Sequence, residues 1–311
     1  MKNQLNRLLL LFAINLIAGT IITKAQPNYP TSPENAELIY SDVVNFIEAY
    51  QYLNKDADTI AVLNKYYFDR SSAGLKEYII KHSLTPELLK AAIAKDPDRY
   101  AKIPGFLAVA EAFKPEYSML MKQFGEVLPS AMYPPTYLLV GANRGIAQAS
   151  KYGQLVTITR VVDSNEKLKK LIVHELAHFQ QAITMGIQEY GALYGKADNM
   201  LGLCLREGGA EFITYLVLNQ ITQTKGLEYF RQHELDLKSR FKSDLATQNP
   251  GYWLWDSIED PETPNLLGYV IGFKICEAYY QNSTEKNNAL KDILAITQPE
   301  GFVEKSQFFK E

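Results

Sequence analysis

Two periodicities alternate along this chain. From residue 34 to about residue 128, apolar side chains recur every three to four positions, the spacing of one buried helix face. Ser32-Pro33-Glu34 reads as a helix start, with Ser32 as cap and Pro33 in the first turn, ahead of an apolar face of Ile39, Val43, Phe46, Ile47 and Tyr50. Thr85-Pro86-Glu87 repeats that signal before Leu88, Leu89, Ala92 and Ile93. The same spacing holds over 56–82 and 104–124, which predicts an all-helical N-terminal region whose aromatic residues serve first as core and groove lining. His82 falls at the end of one of these helices, where a cation suits the exposed carbonyls, or else lies on the surface.

At Leu128-Pro129-Ser130-Ala131-Met132-Tyr133-Pro134-Pro135 the pattern changes. Two short apolar runs, 136–141 and 154–159, read as strands. The loop between them holds Gly141-Ala142-Asn143-Arg144-Gly145, but no Gly-Lys-Ser or Gly-Lys-Thr follows, so it is not a phosphate loop. The second strand feeds a segment in which Leu168, Ile172, Leu176, Phe179 and Ile183 recur at helical spacing. Asp163 and Ser164 offer caps, Glu166 sits where a capping box needs it, and Gly186 is a stop. A stretch bearing Gly191, Gly195 and Gly202 reads as loop, after which a helix opens near Leu205. Helical patterns return at 227–245, 266–280 and 289–296, interrupted by a Pro/Trp loop over 249–264 and followed by a tail from Thr297 expected to be poorly ordered at its end. Trp253 and Trp255 in that loop either wall a cleft or pack against the domain. The fold class expected is α+β and predominantly helical. A helical region (26–130) precedes a domain (131–311) with a small sheet, one long helix and a helical C-terminal part.

The first 25 residues stand apart. Lys2 and Arg7 precede an apolar run over 8–22, and Thr23-Lys24-Ala25 ends on a small residue, the pattern of a cleaved export signal. An uncleaved membrane anchor is the competing reading, for which the run is short. No later stretch is long and apolar enough to span a bilayer. Removing the three cations of this segment takes the formal net charge from −3 to −6, which argues against nucleic acid or anionic lipid as partner. Cys204 and Cys276 are the two cysteines. In an oxidising compartment they either form one bridge or remain buried thiols in their apolar helical settings.

The candidate chemistry lies in His174-Glu175-Leu176-Ala177-His178. On a helix, residues four apart lie about 6 Å apart along the axis and roughly 40° apart around it, so both imidazoles face one point. Neutral imidazoles are zinc ligands, and Glu175 can reach a water at the same centre as general base. Further on, Leu205-Arg206-Glu207-Gly208-Gly209-Ala210-Glu211 places two glycines in a helical pattern, at a cost of about 1 kcal/mol each relative to alanine. That cost is tolerable where another backbone comes close, and the His174 helix is the expected neighbour. Glu207 then becomes the third metal ligand, and Glu211, one turn on, orients a liganding imidazole. A surface acid for Glu211, a helix N-terminal charge for Glu207, and exchanged roles for the pair remain open.

These residues resemble a gluzincin zinc metallopeptidase, with HExxH on one helix and Glu-Gly-x-Ala opening another. The spacing from Glu207 to Glu211 is similar to that of thermolysin-like enzymes. A comparable segment occurs in neutral aminopeptidases, but Gly141-Ala142-Asn143 lacks the glutamate of their Gly-x-Met-Glu-Asn motif. The resemblance is closer to a family of exported bacterial zinc proteases with a Trp-containing loop and a late Gly-Tyr-x-x-Gly, matched by Trp253 and Gly268-Tyr269-Val270-Ile271-Gly272. It covers roughly 136–280 and implies a zincin-like core, one Zn2+ ion, a peptide or protein substrate, and Tyr269 as oxyanion donor, with His233 and then Arg206 as runners-up. The segment 137–140 is expected to bind an extended peptide by edge pairing. Two other readings compete: a helical binding protein with a structural or degenerate zinc site, and a zinc hydrolase of a non-peptide amide.

Overall fold

The computed structural model describes residues 29–310, apart from 54–57, 144, 146, 161–163, 197 and 257. The expected export signal and Asp163 therefore lie outside the described residues. Two compact units emerge, one of Pro27–Gln180 with Ile213–Thr222 and the other of Gln181–Phe212 with Gln223–Glu311. The chain is predominantly helical with one small mixed sheet, which is the α+β class expected.

In the first unit, Ser32-Pro33-Glu34 makes only a single 3-10 turn, Pro33–Asn35. The Ser32 hydroxyl donates to the Glu34 carboxylate and caps no backbone N–H. Residues Leu38–Ile39 instead extend as β1, and the helix begins later, as α1 (Ser41–Tyr52), burying Val43, Phe46 and Ala49. Then come α2 (Thr59–Leu63), α3 (Ala73–His82), α4 (Pro86–Lys95), α5 (Pro97–Ala101) and α6 (Ile103–Val127). Thr85 caps α4 as read, its hydroxyl accepting from Leu88 N at 3.2 Å. Along α6, Phe106, Ala110, Phe113, Tyr117, Leu120 and Phe124 are buried at three- to four-residue steps.

The sheet runs β1-β2-β4-β3, with β2 (Thr136–Leu139) parallel to both β1 and β4 (Gly153–Thr157), and β3 (Ala147–Ser150) antiparallel to β4. Strand β2 therefore lies between two neighbours and is not the edge strand expected, although β1 pairs only with Thr136 and Tyr137. The outer strands are β1 and β3. Three tyrosines from the helical region hold the end of β2 and the loop after it. Tyr67 Oη accepts from Val140 N at 3.0 Å and donates to Val140 O at 2.7 Å, Tyr100 Oη donates to Gly141 O at 2.8 Å, and Tyr78 Oη donates to Gly145 O. His82, read as a surface or end-of-helix cation, packs on Tyr78 with ring centroids 4.4 Å apart and bonds Gln148 at 3.1 Å.

Beyond the sheet, α7 (Asn165–Met185) starts at a Ser164 cap whose Oγ accepts from Lys167 N at 3.1 Å. It stops at Gly186, which takes φ +94°, a value that favours glycine. The loop expected next is largely helix: α8 (Ile187–Tyr194) and then α9 (Met200–Leu218). The pattern over 227–245 is two helices, α10 (Thr224–Gln232) and α11 (Glu234–Asp244), broken at His233. A π turn at Gly251–Trp255 leads to α12 (Leu267–Asn282), α13 (Lys286–Leu294) and α14 (Pro299–Ser306). The tail from Thr297 carries α14, with Phe302, Val303 and Phe308 buried, and its last residue lies outside the described ones. No described helix is long and apolar enough to cross a membrane.

In the second unit, α9 and α12 meet through glycine. A Cβ on Gly208 would overlap the backbone of Gly272 and Phe273, and one on Gly272 would lie 2.7 Å from the Cys204 carbonyl carbon and 3.0 Å from Gly208 Cα. The backbone that approaches Gly208 therefore belongs to α12 and not to the His174 helix. Gly209 does face α7, where Gln181 Nε2 would lie 2.9 Å from an added Cβ and itself donates to Arg206 O at 2.8 Å. Gly268 faces Cys204 Sγ in the same way. Both cysteines are buried free thiols, not a bridge.

Candidate metal centre

Helix α7 is buried on every face over 172–181, and its apolar stripe of Leu168, Ile172, Leu176 and Phe179 is buried. That burial fixes the helix rotation and turns His174 and His178 to one flank. Both histidines and Glu175 are buried, at 5%, 8% and 7% exposure, so this flank is not solvated surface. The two Nε2 atoms lie 3.1 Å apart, with the rings at 89° to one another. Zinc–nitrogen bonds of 2.0–2.1 Å at a tetrahedral angle put two imidazole nitrogens about 3.3 Å apart, so the pair is set for one ion with little adjustment.

The third donor comes from α9. Ligand atoms of His174, His178 and Glu207 all lie within 4.8 Å of one another, and this buried group can hold a metal ion. Two imidazoles and one carboxylate form a donor set that suits zinc. Glu207 sits seven residues into α9, so it is not a helix N-terminal charge. Its Oε1 accepts from Arg206 Nε at 3.0 Å and also from Arg206 Nη2. Arg206 is buried. Burial alone would lower its pKa, but Glu207, with Tyr190 and Tyr269 adding, holds it above its usual range. The guanidinium therefore stays charged and keeps the Glu207 carboxylate oriented, as a partner outside the ligand shell does in metal sites. The Tyr194 ring lies 5.8 Å from it.

Glu211 lies one turn beyond Glu207 and is fully buried, which removes the surface-acid reading. Tyr269 stands on the first turn of α12 between the contact glycines Gly268 and Gly272, half-buried and within electrostatic range of Arg206. His233 occupies the α10–α11 break, where its ring stacks on Tyr229 at 4.0 Å and its Nδ1 lies 3.0 Å from Tyr229 O. Trp253 is fully buried and donates to Asp244 Oδ2 at 3.0 Å, whereas Trp255 is exposed. Trp253 thus packs against its own unit and walls no cleft. The motif alone did not reveal the Arg206 bonds to Glu207, although the adjacency of a cation and a ligand candidate was a signal that could have been read.

Comparison with family models, with curated proteins and with solved structures returns no match for this chain.

Proposed function

We propose that this chain is an exported zinc-dependent metallopeptidase of the gluzincin type, cleaving peptide bonds in peptide or protein substrates. The observation that carries the reading is the convergence of His174, His178 and Glu207, buried together with a glutamate directly after the first histidine. A structural site is closed by four protein ligands and has no use for a base beside it, whereas three ligands leave a position open. Zinc held there supplies a Lewis acid and brings the pKa of water towards neutrality.

The chain's own residues do the rest. Glu175 takes the proton from the attacking water and passes it to the departing amine. Its burial, at 7% exposure, strengthens every interaction it makes with the reacting groups. Arg206 commits its Nε and Nη2 to Glu207, which leaves Tyr269 the better candidate to donate a hydrogen bond to the oxyanion. Glu211 steadies the ligand geometry from one turn away. The substrate backbone, in extended form, pairs with β3, an outer strand whose partner in the sheet is β4.

Glu175→Gln tests the reading. Peptide hydrolysis should fall by roughly a hundred- to ten-thousand-fold while the purified variant keeps one equivalent of zinc. Equal hydrolysis by variant and parent, or a folded parent that takes up no zinc, would refute it.

A further inference from the structure

A second candidate site lies in the first unit, lined by none of the ligands just described. A hollow of about 400 Å3 is lined by Tyr29, Tyr133, Tyr137 and Tyr152, together with Asn35, Glu37 and two proline rings. Its volume is that of a small-ligand site. It lies at the N-terminal ends of the parallel strands: Glu37 precedes β1, Pro135 precedes β2, Tyr137 is in its first two residues, and Tyr152 precedes β4. The walls are fixed. Tyr29 Oη donates to Lys151 O, its ring meets Phe179 edge-on at 5.1 Å, and Tyr133 and Tyr137 are buried.

The lining is one-sided in charge. Four phenol rings, whose faces are electron-rich, and the Glu37 carboxylate line it, and no cationic side chain is among the described lining residues. Burial raises the Tyr29 pKa, and Tyr137 and Tyr152 raise it further. Tyr137 is raised by burial, then by Glu37 and Asp42, and Tyr133 by burial and then Glu34. The coulombic part of these shifts, smaller than the burial part, runs against added negative charge around the hollow. One face of Tyr152 already takes a cation, the Lys151 ammonium 5.0 Å from the ring centroid.

We propose that this tyrosine hollow binds an organic cation, an ammonium or guanidinium group carried by a small molecule or by a lysine or arginine side chain of a peptide. Aromatic faces attract such a group through their quadrupole, and a carboxylate at the rim compensates its charge. A neutral ligand of the same shape gains neither term. The site does not depend on the metallopeptidase reading, because no lining residue is a metal ligand and binding is measured without turnover.

The test is titration of the full chain, in the presence of a chelator, with choline, with the capped amides of arginine and lysine, and with 3,3-dimethylbutan-1-ol as the uncharged isostere of choline. Calorimetry and tyrosine fluorescence report binding, and circular dichroism checks each variant's fold. A cation should bind saturably, at least tenfold more tightly than the isostere, and more weakly as salt rises. Since Glu37 is exposed, Glu37→Gln should weaken binding only about three- to tenfold, and Tyr152→Ala by a similar factor. Tighter binding of choline indicates a small-molecule source, and tighter binding of the capped amides a peptide source. Equal binding of cation and isostere, preference for a neutral sugar such as methyl glucoside, no saturation by any cation at 10 mM, or affinity unchanged in both variants overturns the proposal.

Discussion

Replacing Gly272 by alanine isolates the contact that places Glu207. In a helix interior the change favours the folded state by about 1 kcal/mol through backbone propensity. Against this, the new methyl at position 272 would lie 2.7 Å from the Cys204 carbonyl carbon and 3.0 Å from Gly208 Cα. These obstructions are backbone atoms of α9, which cannot rotate aside as a side chain can, so α9 and α12 must separate. Overpacking costs typically 1–3 kcal/mol and occasionally more, and a backbone clash falls at the upper end, leaving a net loss of about 2 kcal/mol. Gly105→Ala in α6 is the control, since nothing lies within 4 Å of its added Cβ, and it should gain up to about 1 kcal/mol. Urea unfolding in the presence of a chelator, which removes metal linkage, should therefore separate the two variants by about 3 kcal/mol. Because Gly208 adjoins Glu207, Gly272→Ala should also weaken zinc roughly tenfold in chelator competition, the scale on which supporting partners act. If the two variants unfold at the same urea concentration, the close crossing of α9 and α12 is not what restrains this segment.

Two further measurements bear on buried groups. Burial pushes the thiols of Cys204 and Cys276 far above the usual range, with Glu207 adding at Cys204, so neither forms the reactive thiolate near neutrality. A chromogenic thiol reagent at pH 8 should find no thiol in the folded chain and both in denaturant without reductant. Fewer than two in denaturant would mean a bridge. Burial also raises the Asp42 carboxyl, only partly offset by the bonds it accepts from Ser72 N at 3.0 Å and Ser72 Oγ. The folded chain therefore holds this proton more tightly than the unfolded one does. The stability that follows is fully present below the usual carboxylate pKa and is lost as pH rises through the raised value. Asp42→Asn, which cannot ionise, should flatten that part of the stability curve between about pH 3 and 6. A curve unchanged over that range would count against the raised value.

The parts of the fold legible in the chain are those decided within a turn or two. Ser164 and Gly186 bound α7 because a cap and a stop act on neighbouring backbone groups. Thr85 bounds α4 for the same reason. Strand β3 was not legible, since Ala-Gln-Ala-Ser has no strand propensity and is extended because β4 supplies its hydrogen bonds. The same holds for β1, two residues made extended by pairing with β2 nearly a hundred positions later.

From residue order alone came the helix carrying His174, Glu175 and His178, the common facing of the two imidazoles, and the choice of Glu207 and Glu211 as acids one turn apart. Each follows from the 3.6-residue repeat and from side-chain chemistry. Two features depended on the assembled chain: that α12 and not α7 fills the space at Gly208, and that β2 lies inside the sheet. These are set by which backbones come within a few ångströms of each other across long separations, and local periodicity carries no record of such encounters.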